Sequence, residues 1–278
     1  MSDNEEQRYD NFDADTYLTQ FFGEIESFHN LPAYVELFSR FQDASITMLD
    51  FGGGPSVVPL IASAPKVTRY IHADLARNNR TAVERWWRSE PGAFDWRENI
   101  RSYLKLEGKR GSDEEVATRE ARMRNVLASV VRCNVKEERV VPPGYEGPYD
   151  VVSCLNCLDC VCKSTEELGD CIKNKMSPLV KNGGYFMMEC STVLEHYTPE
   201  EQQDPDAQYL VRTSVRYDPS TVKVAGFEYD GFLYEKGENL VKLLESCGYT
   251  DIKRTEYIYE NLEARYKDNI TLLIGRKL

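Results

Sequence analysis

"LDFGGGPSV", residues 49–57, is a short apolar run that closes on three consecutive glycines. An uninterrupted apolar run marks a strand buried on both faces, and a glycine turn behind it lets a ligand approach the backbone at the strand's carboxyl end. The strand is placed at 46–52, and a helix is expected from Pro55, because proline is tolerated in a first helical turn. Gly52 and Gly54 match the first two glycines of the dinucleotide fingerprint, but Val57 stands at the third and Pro55 lies between. A pyrophosphate cradle is therefore not expected on this helix. Asp74 lies 22 residues beyond Gly52, close to the roughly 20 expected of a ribose-binding acid.

Working outward from this turn, strands and helices alternate. "VTRYIHAD" (67–74) reads as a second strand, "NNRTAVERWWRSE" (78–90) as a helix, "VVRCNV" (130–135) as a third strand and "YDVVSCLN" (149–156) as a fourth. Ser112 with Glu115 and Ser164 with Glu167 have the spacing of capping boxes, the first opening a helix through about Ala128. Pro178 should distort the end of the second of these helices. "GGYFMMECS" (183–191) reads as a fifth strand, "ENLVKLLESCG" (238–248) as a helix stopped by Gly248, and two final strands should pair antiparallel. Such alternation predicts an α/β, doubly wound, mostly parallel seven-stranded sheet with an antiparallel edge strand, and an N-terminal helical cap. Residues 1–14 are expected to be a mobile acidic N-terminus and 15–278 a single domain. Within it, 15–45 would form a helical lid, and 198–232 a hairpin over the acceptor pocket.

The ends of these strands place the candidate ligands. Asn134 would end the third strand, where its amide can hydrogen-bond an adenine edge. With Gly52, Gly53, Gly54 and Asp74 it outlines a site for a nucleoside without a pyrophosphate, and S-adenosylmethionine fits that description. The plainer reading is a tight glycine turn with Asp74 as a helix cap.

Composition narrows the partners. The 278 residues are 41% hydrophobic and 29% charged, ordinary for a globular protein. A net charge of −12 argues against nucleic acid and anionic membrane, because both need a basic face. No apolar run reaches a membrane span, and the first residues lack the apolar core of a signal peptide. Eight cysteines, several two or three apart, do not make a secreted disulfide framework and suit a cytoplasmic setting. A monomer is expected.

The order "LDFGGGPSVVPLIASA", "VERWWRSEPGAFDW", "VVRCNV", "CLNCLDCVC", "VKNGGYF" and "SCGY" resembles the family of nicotinamide, phenylethanolamine and indolethylamine N-methyltransferases, over most of 14–278. The resemblance implies S-adenosylmethionine as cofactor and a small amine or heteroaromatic nitrogen as acceptor. It implies that Tyr17 closes over the site, that Gly52 and Gly54 lie beneath the methionine moiety, and that Asp74 and Asn79 contact the cofactor. Asn134 and Val135 match its adenine-edge pair, and Leu155 lies at its strand-four contact. Three positions depart: Phe22 and Val58 stand where the family has tyrosines that reach the cofactor, and Asn134 replaces an aspartate.

Holding an amine in line with a methyl donor, at about 3–3.5 Å and away from water, asks for a carboxylate that receives its proton. Glu189 and Glu195 are the favoured carriers, with Glu228 and Asp230 behind them. The family's strand-five acid falls one residue after Glu189, at Cys190, so a bulge would be needed to bring Glu189 to the same face. Cys154, Cys157, Cys160 and Cys162 have a spacing that resembles a metal-binding run. The family's "LCLD" followed by a cysteine matches Cys157–Asp159 and Cys162; buried reduced cysteine packs as a small hydrophobe, so packing is the expected role, with a regulatory or metal-binding thiol as the alternative. His72 reads as a core or edge residue of its strand. An O- or S-methyltransferase and a non-catalytic S-adenosylmethionine-binding protein remain the rival readings.

Overall fold

The computed structural model describes residue 9 and residues 11–23, 31–192, 216–218, 222–224, 227–229, 232–261 and 266–278. Among the described residues the N-terminal helices with defined bounds are α1 (Ala14–Phe22) and α2 (Leu31–Ser39), with Pro32 in the opening turn of the second. Then follow β1 (Ile46–Phe51), α3 (Val58–Ser63), β2 (Val67–Asp74), α4 (Arg77–Trp87), α5 (Arg97–Leu106), α6 (Asp113–Val126), β3 (Leu127–Arg132) and β4 (Tyr149–Leu155). The chain continues through α7 (Leu158–Val161), α8 (Thr165–Cys171), a π turn (Ile172–Met176), a 3₁₀ turn (Ser177–Leu179) and β5 (Val180–Thr192). Four short strands, β6 (Arg216–Asp218), β7 (Val222–Val224), β8 (Phe227–Tyr229) and β9 (Phe232–Tyr234), precede α9 (Gly237–Ser246), β10 (Tyr249–Asn261) and β11 (Tyr266–Lys277).

The main sheet has the order β10-β11-β5-β4-β1-β2-β3. Pairing is parallel from β3 to β5 and antiparallel where β11 meets β5 and β10. Strand alternation divides the core into two layers. Met48, Val151, Met187 and Leu272 face α2 to α6, against Tyr34, Ile61, Val83, Ile100 and Met123. Leu49, Ile71, Val152 and Met188 face the other way, against Leu168, Met176, Leu240 and Leu244. Because the order reverses at β1, the loops after β1 and β4 open a crevice at the carboxyl ends of the strands.

Several boundaries differ from the sequence expectation. The helix after the glycine loop begins at Val58, not at Pro55, and Pro59 occupies its first turn. The third strand spans 127–132, not 130–135, because α6 runs straight into it at Leu127 with no glycine or proline between. Asn134 and Val135 therefore follow the strand. Helix α5 was not expected at all. Ser112 and Glu115 form the full capping box. At α8 only half of a box forms: Ser164 accepts from the Glu167 amide, while the Glu167 carboxylate accepts from the Lys163 amide. Ahead of Pro178 the α-helix loosens into the π turn and then tightens, as that proline predicts. In the 198–232 segment the described strands pair β6 with β9 and β7 with β8, both antiparallel, outside the main sheet.

Candidate active site

The glycine loop is held from β2. Gly52 and Gly54 take φ of 69° and 63°, a region in which other residues are strained. The amides of Gly52 and Gly53 both donate to Ala73 O, at 2.8 and 3.1 Å. Asp74, ending β2, accepts from the Gly54 amide at 2.9 Å through Oδ2. Its Oδ1 accepts from the Ala76 amide at 2.8 Å and from Asn79 Nδ2 at 3.0 Å. Burial raises the Asp74 carboxyl above the usual aspartate value, against the opposing charge of His72 and these donors. Asp74 is thus both the brace of the loop and a buried acceptor at the strand end.

Two features fit this crevice to a nucleoside cofactor. A Cβ on Gly54 would meet nothing within 4 Å, so the loop has open space on one side. Asn79 Oδ1, beside Asp74, is buried without a hydrogen-bond partner. Beyond β3, Asn134 Oδ1 accepts from the Lys136 amide at 3.0 Å and its Nδ2 donates to Glu137 at 3.3 Å. A side-chain amide oxygen carries two lone pairs, so one remains for an adenine amino group. Val135 is buried beside it. Val58 is buried at the start of α3 and offers no hydroxyl.

From the N-terminal side, α1 lies on α4, with Asn78 Nδ2 donating to Phe12 O at 3.2 Å. Tyr17 is half-buried among Phe12, Phe21 and Phe22, with ring centroids 5.2, 4.6 and 6.0 Å away. Phe22 packs on Trp96 at 5.2 Å, and Asn99 Nδ2 holds its carbonyl at 3.2 Å. Its ring thus serves apolar packing.

Glu189 sits at the carboxyl end of β5, beside Leu155 of β4, and is buried. No bulge carries it there. The β5–β11 register runs one for one from Tyr185 to Thr192. Simple alternation sets Met188 and Cys190 in the second core layer and Glu189 on the Met187 side, toward α2. Burial, and after it the Glu189 charge, pushes the Tyr34 phenol of α2 well up, which places that carboxylate near Tyr34. Asn156 follows β4 with φ of 49°, its amide donating to Glu189 O at 2.8 Å and its Nδ2 to Glu189 Oε1 at 2.5 Å. Asparagine is among the few residues that accept this backbone region. Sequence reading missed Asn156 and Tyr34, although an Asn directly after a buried strand was a usable signal. Glu195 and Asp230 lie outside the described residues, as does the side chain of Glu228.

The cysteines pack. Cys154 and Cys162 are buried in the second core layer with Cys133 and Cys190. Hydrogen bonding to Cys157, then burial, raises the Cys154 thiol, and burial raises those of Cys133 and Cys190. A Cβ on Gly52 would collide with Cys157 Sγ, so this thiol is pressed under the glycine loop. Among the described residues no three His, Cys, Asp or Glu side chains gather as a metal site. Elemental analysis of protein purified without added metal is expected to find no stoichiometric zinc or iron. One metal per chain that is lost in Cys157→Ser would overturn the packing role.

The sheet order, the glycine loop behind β1 and the acid ending β2 define a class I S-adenosylmethionine-dependent methyltransferase. The model of the NNMT/PNMT/TEMT family matches residues 2–226, and the chain belongs to that family. Rabbit (Oryctolagus cuniculus) indolethylamine N-methyltransferase is 26% identical over 188 residues, 68% of either chain. Human (Homo sapiens) nicotinamide N-methyltransferase is 26% identical over 185 residues, 66% of this chain and 67% of that one. A solved S-adenosylmethionine-dependent methyltransferase from Methanosarcina mazei shares the fold, with a TM-score of 0.54 at 14% identity over 87% of this chain and 97% of that one. The protein is an enzyme, a methyltransferase with S-adenosylmethionine as its cofactor. Among the described residues no helix is long and apolar enough to cross a membrane.

Proposed function

We propose that this enzyme methylates the nitrogen of a small amine or heteroaromatic acceptor held at the carboxyl ends of β4 and β5. The observation that carries the reading is Glu189, a buried carboxylate on the α2 side of the sheet whose Oε1 is oriented by Asn156. Bound S-adenosylmethionine supplies a sulfonium methyl, an electrophile that needs no further activation.

The protein's part is to bind, orient and dry the site. Gly52, Gly53 and Gly54 let the backbone come close to the methionine moiety, Asp74 and Asn79 hold the ribose side, and Asn134 and Val135 receive the adenine. Leu155 supplies an apolar wall. Tyr17 and Phe22 close the site from α1, with 15–45 as a cap. Glu189 accepts a hydrogen bond from the acceptor's ammonium and takes its proton, leaving a neutral lone pair for attack. Glu195 stands as the second candidate for this role. The acidic charge and the absence of a basic stretch support a small-molecule partner over nucleic acid or membrane, the closely spaced cysteines support a cytoplasmic setting, and the enzyme is taken to act as a monomer.

The test is a panel of small amines, N-heteroaromatics, thioethers and phenols incubated with methyl-labelled cofactor. Label is expected on nitrogen. Transfer only to oxygen or sulfur would replace this reading with the O- or S-methyl one.

A further inference from the structure

Beneath the glycine loop lies a buried polar group that the reaction as described does not use. Asp50 in β1 and His72 in β2 are both fully buried and directly paired across the sheet. The Tyr70 hydroxyl donates to Asp50 Oδ2 at 2.8 Å and the Ser153 hydroxyl to Oδ1 at 2.7 Å. His72 Nδ1 lies 3.5 Å from Asp50 Oδ2 without a hydrogen bond, and its Nε2 lies 3.0 Å from Gly54 O. A carbonyl can only accept, so Nε2 carries the proton and donates to the loop. Gly54 is therefore clamped at both main-chain groups by side chains of one strand, its amide by Asp74 and its carbonyl by His72.

We propose that His72 is a positioning residue for the cofactor: packed beside Asp50 in the sheet, it holds the Gly54 carbonyl through Nε2 so that the glycine loop keeps its cofactor-ready shape. The packing leaves little alternative for the loop. A Cβ on Gly53 would lie 2.5 Å from Asp50 Oδ2 and 2.6 Å from His72 Cε1, so the backbone rests directly on this pair. Gly54, on the other hand, has open space around its Cα and is fixed by its hydrogen bonds alone. An apolar residue at position 72 would fill the core equally well and leave the Gly54 carbonyl without its donor. A buried polar group with no partner is costly, and a loop can relieve that cost by moving. The shape that binds the cofactor would then be one of several.

The inference rests on the glycine loop being the cofactor cradle, and the test separates the two ideas. His72→Gln retains an amide donor where Nε2 stood, whereas His72→Asn retains only the shorter donor on the Asp50 side. Tyr70→Phe removes a hydrogen bond from the same Asp50 without touching the loop. Cofactor affinity is read by calorimetry with S-adenosylhomocysteine, with thermal melting as the measure of fold. The His72→Gln protein is expected to bind within about threefold of parent, and His72→Asn at least tenfold more weakly. Tyr70→Phe should melt lower yet bind as parent does. In turnover, His72→Asn should raise the KM for cofactor while leaving that for acceptor unchanged.

Equal binding by the Asn and Gln variants, or the reverse order, overturns the positioning role. So does a loss of affinity in Tyr70→Phe that matches its loss of melting temperature, because the group would then act through stability alone. Should His72→Asn fail to fold, binding by His72→Gln within threefold of parent together with parental binding by Tyr70→Phe supports the proposal, and tenfold loss in folded His72→Gln overturns it. If Asp74→Ala binds as parent does, the cradle itself is misplaced, and that failure is read independently of the His72 series.

Discussion

Asp74→Ala is expected to weaken S-adenosylhomocysteine by about tenfold or more, on the order of 1.4 kcal/mol, in line with the loss of a charge-assisted hydrogen bond. Two contributions combine. The variant loses a buried carboxylate at the end of β2, the acceptor assigned to the ribose hydroxyls. It also frees the Gly54 amide, which Oδ2 holds at 2.9 Å, together with the Ala76 amide and Asn79 Nδ2 on Oδ1. The loop and the first turn of α4 therefore lose their common anchor. Calorimetry with the demethylated cofactor measures the effect, and equal affinity of variant and parent would remove Asp74 from the site.

The titration of Asp74 gives this result a second signature. Its carboxyl is raised above the ordinary aspartate value, mainly by burial. The ionised form is the stronger acceptor for a hydroxyl, so cofactor affinity should fall on acidification at a higher pH than for an exposed aspartate. The group's contribution to stability has the opposite sign. A carboxyl whose folded pKa is raised contributes stability below its unfolded pKa, and that contribution is lost as pH rises through the folded value. The Asp74 contributions to affinity and to stability should therefore move in opposite directions across this window, each read as the difference between parent and Asp74→Ala at the same pH.

What the sequence made legible follows from how local each signal is. The glycine loop and the acid ending β2 are read from spacing alone, because a turn, a short helix and a second strand leave little freedom between positions 52 and 74. The two final strands and Gly248, with φ of 90° after α9, carry equally local marks. Boundaries without such marks were lost. Helix α6 passes into β3 at Leu127 with nothing to punctuate the change, which displaced the expected third strand by three residues. Helix α5 opens at Arg97 with Trp96 as an N-cap that gives no side-chain hydrogen bond, inside a stretch that matches a family motif and carries no capping signal. The network of Asp50, Tyr70, His72 and Ser153 could not be read at all. Its members come from three strands, and only the parallel register of β1 with β2 and β4 brings them together.

Glu189 is where sequence and structure bear most directly on each other, and Glu189→Gln carries the other large expected effect. The family's acid position holds Cys190 here, and alternation along β5 turns Cys190 into the cysteine-lined core layer. With an unbroken register against β11, the side facing α2 is reached from position 189. Asn156, in a backbone conformation few residues accept, then fixes Oε1 from the neighbouring strand end. An acid one residue out of the family pattern is thus seated by a partner that suits it. Neutralising it to glutamine keeps the volume but removes the charge and the proton acceptor. The kcat/KM for amine methylation should fall by about 10²-fold or more, the typical contribution of a positioned acid–base group. Affinity for S-adenosylhomocysteine should stay near that of parent, because Gly54, Asp74 and Asn79 are untouched. Steady-state comparison with Glu195→Gln on the same amine decides between the two carboxylates. A parental rate in Glu189→Gln with a lost rate in Glu195→Gln would move the role to Glu195. Parental rates in both of these and in Asp230→Asn as well would end the amine reading.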